Sequence, residues 1–161
     1  MTIRKTTIAD LQAVLNIYYD AREFMRETGN PNQWKNTHPP QAMIEGDIDA
    51  EKSYVCVCDD AIVAVFYFNI EIDPMYVKID GRWLNDEPYG VVHRIARAQN
   101  AKGAGAFCLE WCFQQCGNLR IDTHEDNVPM KKLLDRLGYL YCGIVWMPNG
   151  DERLAYQKCM P

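Results

Sequence analysis

Asn100-Ala101-Lys102-Gly103-Ala104-Gly105-Ala106 decides how this chain is read. The stretch follows a strand-like run, Tyr89 to Ala96, and opens a helical run to about Cys116. In the body of that helix only Glu110, Gln114 and Gln115 are polar, so most of it is buried. Glycine at such a junction lets the backbone approach a ligand closely. The free N–H groups and the positive end of the helix then favour an anion such as a pyrophosphate. On spacing alone, Gly103 and Gly105 fit a plain strand-to-helix turn equally well. A Walker loop requires Gly-x-x-x-x-Gly-Lys-Ser/Thr, which is absent. A dinucleotide fold requires Gly-x-Gly-x-x-Gly, and position 108 is Cys.

Working outward, Asn118 to His124 reads as a strand, which makes Tyr89–His124 a strand–loop–helix–strand unit. A right-handed crossover would set its two strands parallel. Asn127 and Pro129 start a helix whose apolar face is Met130, Leu133, Leu134 and Leu137, with Gly138 as its terminal glycine. Tyr139–Trp146 and Arg153–Cys159 form two last strands around the turn signal Asn149-Gly150. Towards the N-terminus, Thr2–Thr6 is a short strand, and Thr7-Ile8-Ala9-Asp10 resembles a capping box. Leu11, Val14, Leu15, Tyr18 and Met25 then recur at helical spacing until Gly29-Asn30-Pro31. A polar loop with Trp34 and His38 leads to a short helix over Gln41–Asp49. Ser53–Cys58 and Ala61–Ile70 make a hairpin through Asp59-Asp60. Its second strand is apolar on both faces and belongs in the middle of a covered sheet. Residues 71–88 are rich in turn signals. The order implies an α+β fold with a mixed, mostly antiparallel sheet flanked by helices.

The 161 residues, without repeats or linkers, imply one domain spanning 1–161. Net charge is −5 and no basic stripe is visible, so nucleic acid is not an expected partner. No apolar run reaches the ~20 residues of a membrane span and no signal-peptide pattern opens the chain, which implies a cytoplasmic protein with no membrane partner. The seven cysteines then read as reduced thiols. Cys108, Cys112 and Cys116 fall on one helix face as small buried hydrophobes. No CxxC pair occurs and the histidines are scattered, so no metal site is expected.

Two motifs together carry a family resemblance. Asn100-x-x-Gly103-x-Gly105 matches the phosphate loop Gln/Arg-x-x-Gly-x-Gly/Ala. Asn127-x-x-Met130-x-x-Leu133-Leu134-x-x-x-Gly138-Tyr139 matches the later signature Asn-x-x-Ala-x-x-Leu-Tyr-x-x-x-Gly-Phe. With the element order of the whole chain, these make the sequence resemble the GNAT superfamily of acyl-CoA-dependent N-acyltransferases, in an uncharacterised bacterial branch. The resemblance implies a twisted sheet of about seven strands with about four helices. It implies acetyl-CoA as cosubstrate, with its pyrophosphate on the N–H groups of Lys102, Gly103, Ala104, Gly105 and Ala106, beside Asn100. The pantetheine arm would pair with Ile95, Ala96 and Arg97 where two strands splay, and Asn127 would bond it. Many members dimerise, so a homodimer is an open partner. This chain departs from the pattern at Asn100, which is shorter than Gln or Arg, and at Leu134, where the tyrosine that protonates the leaving thiolate often stands.

The implied reaction is direct attack of a primary amine, that of a small molecule, on the thioester. Protein N-termini or lysines remain alternative acceptors, and a non-catalytic acyl-CoA-binding module is the alternative to an enzyme. An amine of pKa ~10.4 is neutral in only about one molecule in 2,500 at pH 7, so a general base is useful. His93 is the first choice, and His124 and Glu125 at a strand end are the second. Trp34, Tyr18 and Trp83 are the aromatic candidates for holding a cationic acceptor. Tyr139 and Tyr141 could replace the missing acid, and Lys131, Lys132 and Arg136 could meet phosphates.

Overall fold

The element order follows from where the turn chemistry stops each run. The computed structural model describes residues 1–161. Its strands are β1 (Thr2–Lys5), β2 (Ser53–Cys58), β3 (Ala61–Ile70), β4 (Asp80–Gly81), β5 (Gly90–Arg97), β6 (Asn118–Thr123), β7 (Leu140–Trp146) and β8 (Glu152–Cys159). Its helices are α1 (Leu11–Glu27), α2 (Gln41–Asp49), α3 (Ala104–Cys116) and α4 (Val128–Arg136). Asp59 and Asp60 both have positive φ, +50° and +62°, the hand that matches strand twist in a tight hairpin. Asn127 caps α4, its Oδ1 accepting the Met130 N–H at 3.1 Å. Gly138 at φ +86° ends α4 and turns the chain into β7. No helix is long and apolar enough to cross a membrane.

The strands form one sheet in the order β1-β2-β3-β5-β6-β8-β7-β4. Seven strands are expected from the sequence and eight are present. The extra one, β4, is a two-residue bridge to β7 inside the turn-rich segment. It exists because two glycines face each other: a Cβ on Gly143 would lie 2.1 Å from the Asp80 carbonyl oxygen. All neighbouring pairs are antiparallel except β5–β6. That pair is parallel over Gly90–Leu119 and Val91–Arg120 only, after which the strands part.

Both faces of the sheet are covered. On one, Cys108, Leu109 and Cys112 of α3 pack on Phe66, Phe68, Leu119 and Ile121. Burial pushes the Cys108 and Cys112 thiols above their ordinary range, as suits inert core residues. On the other, Val14 and Ile17 of α1 and Ile44 and Ile48 of α2 pack on Val55 and Val65. β3 supplies both cores, as a strand apolar on both faces must. Arg120 departs from simple alternation on β6. It is buried, with its guanidinium 3.9 Å from the Tyr89 ring centroid and 4.3 Å from that of Trp83. Stacking on aromatic faces is what allows a guanidinium there.

β5 carries a bulge. Its register with β3 moves from His93↔Tyr67 to Ala96↔Val65, and Arg94 between them sits at φ +52°. Two contacts hold this backbone: the Tyr18 hydroxyl donates to the Arg94 carbonyl at 2.7 Å, and the Arg94 guanidinium grips Asp47 of α2 at 2.9 and 3.0 Å. A bulge of this kind re-aims side chains and ends regular pairing.

The loop between α1 and α2 folds back over the sheet. Trp34 packs edge-on against Tyr18 at 5.7 Å, and His38 tilts on Trp34 at 6.1 Å. Burial, reinforced by the charges of Arg94, Arg153 and Arg22, pulls His38 down to about 4. Folded His38 is therefore neutral between pH 4 and 6.5, whereas in the unfolded chain it takes up a proton on acidification. Stability should fall as pH drops through this window, with His38 contributing about 2 kcal/mol. Thermal melts from pH 7 to pH 4 should decline less steeply for His38→Gln than for the parent.

Candidate functional site

The start of α3 leaves several backbone N–H groups free. Gly103 stands before it at φ +84°, with open space where a Cβ would project. The Ala104 N–H bonds the Ala101 carbonyl at 3.2 Å, but the N–H groups of Lys102, Gly103, Gly105 and Ala106 have no backbone acceptor. They open into a cleft of about 520 Å³ that also takes in Ile95, Ala96, Arg97 and Asn127. Arg97, Lys102, Lys132 and Arg136 line it too, and none makes an ion pair with a carboxylate. Free N–H groups and cations without carboxylate partners around one cavity fit a polyphosphate.

Of the loop residues expected there, Asn100 and Ala104 do not line the cleft. Asn100 is exposed, and Ala104 is fully buried because its methyl faces the core beneath α3. Gln99, which the sequence did not single out, lines it instead. Lys131 turns away to donate to the Glu125 carbonyl at 3.1 Å.

Past Val91 the edge of β5 facing β6 has no strand partner, and the cleft runs inward along it. It shares Met25, Ile95, Asn127 and Met130 with an inner chamber of about 270 Å³. Asn127 joins the walls: while its Oδ1 caps α4, its Nδ2 donates to Gln33 Oε1 at 2.9 Å.

His93 projects into the chamber. Its Nε2 lies 2.5 Å from Asp73 Oδ2, and its Nδ1 lies 4.0 Å from Asp122 Oδ2. Asp73 is itself tied down: its Oδ1 accepts the Met75 N–H at 2.9 Å, and its own N–H donates to the Tyr89 hydroxyl at 3.0 Å. Burial works against the Asp73 charge, but the hydrogen bonds from His93 and the Met75 N–H, with the nearby charge of Arg94, hold the carboxyl below its ordinary range. Asp122 accepts from the Tyr76 hydroxyl at 2.6 Å. An ionised Asp73 requires the hydrogen of His93 to sit on Nε2, which leaves Nδ1 as the basic nitrogen. Asp73 and Tyr76 were not legible as site residues. Their segment reads as turns, and the pairing closes only through the sheet.

The structure does not bring all the expected residues together. Trp34 lines the chamber. Tyr18 sits behind it with its hydroxyl committed to Arg94, and so lines neither cavity. Trp83 is held elsewhere by Arg120, donating its indole N–H to the Tyr76 carbonyl at 2.8 Å. His124 and Glu125 border a neighbouring recess that shares Arg153 with the chamber, and there His124 Nδ1 accepts the Asp126 N–H at 3.0 Å. This follows from β6 ending at Thr123, after which the chain turns away from the chamber. Leu134 and Tyr139 are buried in the core and Tyr141 is exposed on β7, so no tyrosine among these lines the cleft.

No family model matches the sequence, and no curated protein is detectably similar to it. Solved structures are similar to it. An acetyltransferase of the GNAT family from Streptococcus agalactiae is 30% identical with a TM-score of 0.85, over 99% of this chain and 95% of that one. A ribosomal-protein-alanine N-acetyltransferase from Brucella melitensis is 19% identical with a TM-score of 0.69, over 99% and 100%. A phosphinothricin acetyltransferase from Sinorhizobium meliloti, in complex with AcCoA, is 14% identical with a TM-score of 0.66, over 98% and 86%. The latter two share the fold with this chain, while the streptococcal protein is similar in sequence along nearly its whole length. The chain belongs to the GNAT family of acetyltransferases.

Proposed function

We propose that this protein transfers an acetyl group from acetyl-CoA to a primary amine of a small molecule, by direct attack in a ternary complex. The observation that carries this reading is the pair of adjoining cavities, which share Met25, Ile95, Asn127 and Met130. One offers free N–H groups and cations for a pyrophosphate, and the other holds a histidine between two carboxylates. The unpaired β5 edge between them suits an extended arm that pairs like a strand. The chamber is small and lined by the loop of Trp34 and the turn of Met147 and Pro148, which favours a metabolite over a polypeptide acceptor.

In this scheme the amine nitrogen attacks the thioester carbonyl carbon as the C–S bond breaks. His93 Nδ1 takes one proton from that nitrogen, with Asp73 stabilising the imidazolium through Nε2. The backbone N–H of Ile95, which faces the unpaired β5 edge, stabilises the oxyanion. With Leu134 buried and no tyrosine lining either cavity, the thiol leaves as thiolate and takes its proton from solvent. Its ordinary pKa of ~8.5 makes it an adequate leaving group without an acid.

Calorimetric titration should show micromolar acetyl-CoA binding, well above an adenosine diphosphate control. Binding without thiol release across an amine panel would instead favour an acyl-CoA-binding module. Gly103→Glu should abolish that binding, because φ +84° strains any side chain and the carboxylate would meet the phosphates. Unchanged affinity in folded protein would reject the loop assignment. His93→Ala should lower kcat roughly 10²–10⁴-fold while leaving acetyl-CoA affinity nearly intact. Asp73→Asn should lower kcat in the same direction and by less, again without affecting that affinity.

A further inference from the structure

Arg153 of β8 is 4% exposed and lines the chamber, yet no carboxylate lies within ion-pairing distance of it. Its guanidinium donates only to two backbone carbonyls, those of Glu152 at 2.9 Å and Gln33 at 3.1 Å. The remaining N–H groups of its fork have no protein partner. A buried cation without a counter-charge is costly, and a carboxylate is the planar anion that a guanidinium fork fits best.

The other basic groups of the chamber are already committed. Arg94 holds Asp47 with two hydrogen bonds, and burial keeps His38 neutral. Asp122 and Asp151 are near enough to favour the charged form of Arg153, but neither reaches it. The chamber therefore presents one uncommitted cation, and opposite in sign to it the carboxylates Asp73 and Asp122 around His93. The rest of the lining includes the apolar, adaptable side chains Trp34, Met43, Met75 and Met147.

We infer that the acceptor is a free α-amino acid with an apolar side chain, its carboxylate docked on Arg153 and its amino group delivered to His93. This rests on the acetyl-transfer reading above and specifies the acceptor. The amino nitrogen forms the new N–C bond, the thioester C–S bond breaks, and the carboxylate takes no part in the chemistry. A polypeptide N-terminus offers an amide at the same position, so it lacks the group that Arg153 is placed to bind.

The test is thiol release from acetyl-CoA by the full chain with three matched sets of acceptors: methionine, leucine and phenylalanine, their carboxamides, and the corresponding decarboxylated amines. The free acids should exceed both other sets by roughly 100-fold or more in kcat/KM. Arg153→Gln should raise KM for the acids by a similar factor and leave acetyl-CoA affinity unchanged, and Arg153→Lys should recover part of the loss. The wild-type panel decides the matter even if a variant fails to fold. Equal or better turnover of carboxamides or plain amines would overturn the inference and leave acetyl transfer standing. Acetylation of none of the free acids would overturn it as well, and failure of acetyl-CoA to bind would remove the underlying reading itself.

Discussion

The ladder between β5 and β6 stops after Val91, and the rest of the site depends on that interruption. A continued ladder would fill the cleft with paired backbone. Divergence leaves a strand edge exposed to the cavity, normally a liability, and here the loop before α3 and the helix α4 enclose it. The bulge at Arg94 is part of the same arrangement. A residue at φ +52° costs of order 1 kcal/mol or more, offset here by the Tyr18 hydroxyl and the Asp47 carboxylate. Helices α1 and α2 thus do more than cover the sheet, since they fix the strand that presents His93.

Charges in this protein are placed rather than spread. The cations of the cleft are left without carboxylate partners, Arg94 is fully paired, and Arg120 is held between rings. The Asp73 carboxyl is held below its ordinary range despite burial, with the hydrogen bond of His93 the largest favourable cause. A GNAT family member without a tyrosine at position 134 can work in this way if its nucleophile is well deprotonated and its leaving group needs no acid.

Much of the fold was legible because local chemistry marks element ends. Asp59-Asp60, Asn127 with Pro129, Gly138 and Asn149-Gly150 each carry a turn or cap preference strong enough to read directly, and each stands at an element boundary. β4 was not legible, since two residues leave no periodicity and their pairing depends on two glycines far apart in sequence. The loop of Gly103 and Gly105 was readable for the same local reason as the turns. Its fine structure was not: whether Asn100 or Gln99 meets the cleft depends on how the chain leaves β5.

The sequence alone determined the α+β class, the order of nearly all elements, the family and the place of the glycine loop before α3. These rest on short-range preferences and spacings that survive without neighbours. Only the tertiary structure decided which polar side chains share a chamber. It joined His93 to Asp73 and Asp122, placed Arg153 in the same chamber, and sent His124, Glu125 and Trp83 elsewhere. The physical reason is that these contacts link residues from separate strands and loops. Their distances are set by sheet order, the β5 bulge and the divergence after Val91, and none of these is a local property of the residues that meet there.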